Sequence, residues 1–155
     1  MNHIKSLATM PVIVFLLALF FFINNKNIAF ANDCPQERKT ITAPKEYLGK
    51  VSPLRNEPRF VKKGKVLSHI RAKPIACKQC HGMEGNGQGA MATNLNPKPR
   101  NFTCKQTMEQ ISDGQLFWII KNGSKGTSMP PYSKLSDRKI WQLIQYIRSL
   151  PEESS

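Results

Sequence analysis

Large apolar side chains are scarce after residue 31. Residues 32–155 carry only 23 Leu, Ile, Val and Phe among 124 residues. Acid is scarce as well: ten Asp and Glu stand against 23 Lys and Arg, for a formal charge of +13. Together these shortages place the chain at the edge of the disordered class. They argue against a hydrophobic core built from amino acids alone. Either much of the chain is unfolded, or an apolar group that is not an amino acid fills its middle. No internal repeat is visible, and no period-2 alternation supports a strand. A length of 155 residues fits one domain and not two.

The chain also lacks an apolar run long enough for a comfortable membrane span, which needs ~20 residues. The longest run, Pro11 to Ile23, has 13. Lys5 and the amino terminus precede it, and Ala29-Phe30-Ala31 offers small residues at a cleavage site. Residues 1–31 therefore read as a secretory signal peptide, with an uncleaved anchor as the alternative. No lipidation box precedes Cys34. The expected product is soluble and exported, in a periplasm or equivalent lumen, where cysteines are used oxidatively.

Residues 32–56 carry Pro35, Pro44 and Pro53 with no sustained period, and read as an irregular arm. A helix is expected from about Glu57 to His69, with Phe60, Gly64 and Leu67 on one face. Gly82, Gly85, Gly87 and Gly89, followed by Asn94, Asn96, Pro97 and Pro99, predict a long loop. Ser112 caps an expected helix over Asp113–Lys121, with Asn122-Gly123 as its stop. Ser124 to Lys134 is a second loop. Ser136 and Asp137 open a last helix, with Ile140, Leu143, Ile144 and Ile147 as its buried stripe and Pro151 as its end.

Cys77-Lys78-Gln79-Cys80-His81 is a C-x-x-C-H run, the attachment signature of c-type haem. Thiols three apart on one turn can each reach a vinyl group on one edge of the porphyrin. The histidine that follows is then held beneath the ring, where it can ligate iron. Other uses are weaker. A thioredoxin-like pair needs a parallel sheet, and no strand is expected. A zinc knuckle needs four ligands, and beyond the motif residues 32–155 offer only Cys34, Cys104 and His69. The second axial ligand is expected to be Met129, in Thr127-Ser128-Met129-Pro130-Pro131-Tyr132, where prolines stiffen the loop that presents it. His69 is the runner-up, and Met83, Met91 and Met108 read as core filler. The outer N–H of His81 should meet a carbonyl, with Pro97 or Pro99 as the candidate acceptor. Arg100, Trp118 and Tyr132 are candidate donors to the propionates.

Over about residues 57–150 the chain resembles a class I c-type cytochrome, of the small exported monohaem kind. The likeness rests on Cys77-x-x-Cys80-His81-Gly82, the Asn96 to Phe102 loop, Asp113 to Gly123, Met129-Pro130 and the Trp141 to Leu150 helix. It implies an all-α cytochrome c fold over 57–155: three to four short helices and long loops wrapped round one covalent haem c. It also implies that the first and last helices cross near Gly64 and Tyr146. An aromatic often follows that glycine by four residues in the family; here Ser68 stands there. Ala72–Ala76 reads as an added turn before the haem motif. Cys34 and Cys104 are left over. They suit a disulfide between arm and loop, with an intermolecular bridge or two free thiols as alternatives.

The function expected is one-electron transfer rather than catalysis, because His81 and Met129 together leave iron no open position. The alternatives are a haem subunit fixed in a larger complex, and a haem enzyme or gas binder with a labile sixth ligand. The lysines, among them Lys62, Lys63, Lys65, Lys73, Lys78, Lys98, Lys105, Lys121 and Lys125, would steer a monomer onto acidic faces of redox proteins. Anionic lipid headgroups are a further class of partner. Nucleic acid is disfavoured, since the basic residues are not interleaved with stacking aromatics and the chain is exported.

Overall fold

A computed structural model describes residues 34–36 and 40–151. The signal-peptide reading of residues 1–31 lies outside them. Among the described residues there are six α-helices and no β-strand: α1 (Lys45–Leu48), α2 (Pro58–Val66), α3 (Lys78–His81), α4 (Lys105–Glu109), α5 (Asp113–Asn122) and α6 (Asp137–Arg148). None is long and apolar enough to cross a membrane. The architecture is all-α, as expected, with α1, α3 and α4 additional to the helices that periodicity indicates. Each of these three has only four or five residues, too few to show an amphipathic period.

Helix α2 starts with Pro58 at its first turn, where the missing N–H would have no partner anyway. It runs into a π-helical turn, Leu67–Arg71, closed by Ala72 N–H donating to the Leu67 carbonyl at 2.9 Å. The wider turn places Leu67, Ser68 and His69 inside. The chain then leaves in extended form at Ala72 and reaches the cysteine motif through residues 73–76. This is where the added turn was expected.

Helix α2 packs chiefly on α6. The crossing is close: a Cβ on Gly64 would lie 2.0 Å from the Gln142 carbonyl oxygen and 2.8 Å from Tyr146 Cβ. Only glycine fits there. The π turn adds His69, whose Nε2 is 3.0 Å from the Tyr146 hydroxyl in an edge-to-face contact.

Ser112 Oγ accepts from Gln115 N–H at 3.1 Å and starts α5, while Gly123, at φ +78°, stops it. Ser136 stands at the start of α6 without a side-chain cap bond, and its carbonyl accepts from Lys139 and Ile140. The stripe Ile140, Leu143, Ile144 and Ile147 is buried, and Trp141 packs on Phe117 at 4.7 Å. At the far end of α6, Arg148 Nε pairs with Asp113 at 2.8 Å. Its Nη1 donates to the Met108 carbonyl at 2.6 Å and its Nη2 donates to the Ile111 carbonyl. One guanidinium thus ties α4, α5 and α6 together.

The stretch expected to be an irregular arm contains the one-turn α1, and its described residues are tied to the rest of the chain. Gln115, one of the most buried side chains, accepts from Ala43 N–H at 2.7 Å and donates to the Ile41 carbonyl at 3.2 Å. Gly114 lets the arm lie against α5, since a Cβ there would be 1.7 Å from the Tyr47 carbonyl oxygen. A disulfide joins Cys34 to Cys104, with a Cα–Cα distance of 5.5 Å. Of the alternatives for these cysteines, the intramolecular pair is the one the structure contains.

Candidate functional site

The core does not close on itself. A cavity of about 350 Å³ opens beside it, floored by Leu116, Ile120, Leu143 and Ile147 from α5 and α6. Cys80 and His81 line it from α3, Cys77 from the residue before that helix, and Met129 from the loop after α5. The structure therefore brings together four residues that are up to 52 positions apart, and surrounds them with apolar side chains.

Helix α3 is a single turn, so Cys77, Cys80 and His81 share one short stretch of backbone. Gly82 ends it at φ +84°, and its N–H donates to the Lys78 carbonyl at 2.9 Å. Both thiols are free. Burial pushes the Cys77 and Cys80 thiols up from their ordinary value. A thiol-exchange nucleophile needs the opposite shift.

His81 is fixed on two sides. Its Nδ1 lies 2.9 Å from the Arg100 carbonyl oxygen. Phe102 stacks on its ring at 4.3 Å and 15°. A carbonyl only accepts, so Nδ1 carries the proton and the lone pair is on Nε2. Burial holds the imidazole below its ordinary value; the Arg100 carbonyl opposes that, and the Arg100 charge adds to it. A neutral imidazole with a free Nε2 lone pair is what iron ligation needs.

The acceptor is Arg100, not Pro97 or Pro99. Phe102 N–H donates to the Gly85 carbonyl at 2.7 Å, and Gly87 N–H donates to the His81 carbonyl at 2.8 Å. These bonds pin residues 100–102 against the histidine and place the Arg100 carbonyl at its ring edge. Pro97 and Pro99 still line the cavity, and the Pro99 carbonyl accepts from Gln36 Nε2 at 3.4 Å.

Met129 sits in a pre-ordered loop. Its N–H donates to the Thr127 hydroxyl oxygen at 3.1 Å, and its carbonyl accepts from Ser124 N–H at 3.2 Å. Gly123 allows this, because a Cβ there would lie 2.9 Å from the Met129 carbonyl oxygen. The other sulfurs are elsewhere. Met83 and Met91 are 52% and 50% exposed and so are not core filler, whereas Met108, at 1%, is. His69 is engaged with Tyr146 and does not line the cavity.

Of the three candidate propionate donors, Arg100 and Tyr132 line the cavity and Trp118 does not. The Tyr132 hydroxyl donates to the Ile75 carbonyl at 2.8 Å, beside Cys77. Burial, then the neighbouring Cys77, raises its pKa far above the ordinary value. Its bond to Ile75 closes the turn before the motif. Trp118 does not line the cavity, because its position on α5 lies off the stripe formed by Leu116 and Ile120. Arg100 does line it, and its Nη1 donates to the Gln36 carbonyl at 3.3 Å.

One polar atom tests whether a haem suits this space. Ser124 Oγ is buried in the cavity wall with no hydrogen-bond partner among the described residues. A buried hydroxyl without a partner costs free energy. Thr127, Ser128, Lys98 and Arg100 also line the cavity. An apolar floor with a set of polar donors in its wall suits a group that is apolar in its body and carboxylate at one side. Sequence reasoning missed Ser124, as it missed Gln36 and Thr40, which bring the arm into the cavity wall. No local pattern marks a serine whose hydroxyl is buried without a partner among the described residues.

Comparison with known proteins agrees with this geometry. Residues 68–147 match the family described as cytochrome C oxidase, cbb3-type, subunit III. A solved chain of the Kuenenia stuttgartiensis reducing HAO-like protein complex is similar, at 28% identity and a TM-score of 0.55, with 68% of this chain and 49% of that chain covered. This chain thus spans about half the length of that structural relative. No curated protein matches it.

Proposed function

The chain belongs to the family described as cytochrome C oxidase, cbb3-type, subunit III, and we propose that it is an exported one-electron carrier with a single haem c. Membership makes it a c-type haem protein of electron transfer. The finer reading rests on one observation: Cys77, Cys80, His81 and Met129 line the same apolar cavity. When bound, haem c supplies an iron that accepts one electron and returns it. Cys77 and Cys80 would hold the ring as thioethers. His81 Nε2 and Met129 Sδ would take the two axial positions, which leaves no site for oxygen or peroxide. The Arg100 carbonyl orients His81 and raises its basicity. The Met129 loop loses little entropy on ligation because its own hydrogen bonds already order it. Methionine opposite histidine favours a raised reduction potential.

The partner surface is basic. Lys121 is neutralised by Asp137 at 2.7 Å, and Lys98 Nζ donates to the Ala92 and Thr93 carbonyls at 3.3 and 2.6 Å. Steering onto an acidic redox partner therefore falls to lysines such as Lys73 and Lys78, beside the motif. A second reading, a haem subunit fixed in a larger complex, draws on the similar chain being part of one. Co-elution with other subunits after export would favour it; a monomer favours the carrier.

The test is the mass of the purified protein under denaturing conditions after acid–acetone extraction. One haem retained on the chain, and lost in Cys77→Ser/Cys80→Ser, supports the proposal. A chain that releases its haem to the solvent overturns it.

A further inference from the structure

We infer that Gln36 is a positioning residue for His81: its side-chain oxygen holds the N–H of the one peptide unit whose carbonyl takes the His81 proton. This rests on the haem reading above. The Arg100 carbonyl and the Asn101 N–H belong to the same planar peptide. His81 Nδ1 is 2.9 Å from the oxygen of that unit, and Gln36 Oε1 accepts from its N–H at 2.7 Å. A planar peptide cannot turn its carbonyl without turning its N–H. Gripping one end therefore fixes the direction of the other. The two bonds also polarise each other, because an N–H that is donating makes its own carbonyl a better acceptor.

Gln36 is itself seated on several sides. Its N–H donates to Thr107 Oγ1 at 2.7 Å, and its carbonyl accepts from Arg100 Nη1 at 3.3 Å. Its Nε2 donates to the Pro99 carbonyl at 3.4 Å. The Cys34–Cys104 disulfide anchors the arm two residues earlier. The clamp comes from outside the stretch that matches the family, residues 68–147, so it is a feature of this chain's arm. It gives the disulfide a role beyond stability: it holds a polar side chain against the backbone that tunes an iron ligand.

A stronger Nδ1–H···O bond makes the imidazole more basic and favours ferric iron. Loosening it shifts the reduction equilibrium toward the ferrous form. The experiment uses the haem-loaded protein and the near-isosteric Gln36→Met, which keeps the cavity wall and the backbone bonds to Thr107 and Arg100 but removes the side-chain hydrogen bonds to Asn101 and Pro99. Two quantities are read: the potential against mediators, and solvent exchange of the His81 Nδ1 proton by NMR in the ferrous state. The expected results are about tenfold faster exchange and a reduction equilibrium moved two- to tenfold toward ferrous, the upper value being about 59 mV for one electron. Gln36→Glu keeps an acceptor oxygen and should keep the slow exchange. Should Gln36→Met fail to accumulate, Gln36→Asn, one methylene too short to reach, is read in the same way. A haem-bearing Gln36→Met with unchanged exchange and potential overturns this inference alone, even if its stability falls. A wild-type protein without haem overturns the functional reading and this inference with it.

Discussion

Replacing Gly64 with alanine tests the helix crossing that supports the site. In an exposed helix the change would stabilise by about 1 kcal/mol, through helix propensity. Here the new Cβ would lie 2.0 Å from the Gln142 carbonyl oxygen, where ordinary contact begins near 3.4 Å, so α2 and α6 must part by roughly 1.4 Å. A gap of even ~1 Å forfeits up to about half of each dispersion contact across it. Overpacking of this kind costs about 1–3 kcal/mol or more. Backbone meets backbone at this point, so the upper end applies. The net expectation is a loss of about 2 kcal/mol after the propensity gain. Gly49→Ala is the control, since nothing lies within 4 Å of its Cβ position and its φ is −83°. Guanidinium unfolding of the haem-loaded proteins, followed by far-ultraviolet circular dichroism, reads both. Because Leu143 and Ile147 of α6 floor the cavity, the absorption of the bound haem should shift in Gly64→Ala alone. A Gly64→Ala protein as stable as wild type would refute the close crossing.

The Cys34–Cys104 bridge spans 70 residues, which corresponds to about 4 kcal/mol of loop-closure stabilisation. Cys34→Ser/Cys104→Ser should lower the non-reducing unfolding midpoint accordingly, and an unmoved midpoint contradicts this. Burial holds His69 below its ordinary 6.5, with Lys65 and Lys78 adding to the shift and the Met83 carbonyl and Glu84 opposing it. The unfolded chain therefore binds a proton that the folded one does not. Stability should fall as the pH drops through 6.5 and level off below the folded value. Urea midpoints at about pH 7.5 and about pH 5.5 should differ less in His69→Gln than in wild type; equal differences refute the assignment. Ser124→Ala should cost the haem-loaded protein about 1 kcal/mol if its hydroxyl donates to a propionate. A neutral or stabilising result means the hydroxyl is an orphan in the loaded protein too.

Helices α5 and α6 were legible because each combines a start signal with an apolar stripe, and Gly123 stops α5 by a conformation open chiefly to glycine. Helices α1 and α4 were not, since four or five residues show no period. The cysteine motif stood out because its spacing is local. The rest of the site is made at long range. Which carbonyl meets His81 depends on the bond from Phe102 N–H to the Gly85 carbonyl and on the Gly87 N–H that holds the glycine loop to His81, and every residue offers the same carbonyl. The packing of the arm depends on Gln115 reaching back more than 70 positions to Ile41 and Ala43. A glutamine inside a helix announces no such partner. The bond from the Tyr132 hydroxyl to the Ile75 carbonyl is equally invisible in the sequence, because it joins residues 57 positions apart.

The most direct test of the account is the absorption spectrum of the oxidised protein, compared between wild type and Met129→Ala. If His81 and Met129 are the axial ligands, wild type shows the weak sulfur-to-iron charge-transfer band at the red end. Met129→Ala loses that band, opens the sixth position and gives a ferrous form that binds carbon monoxide readily. A band that survives in Met129→Ala, or a wild-type protein without one, contradicts the assignment of Met129 and with it the closed, carrier-type iron site.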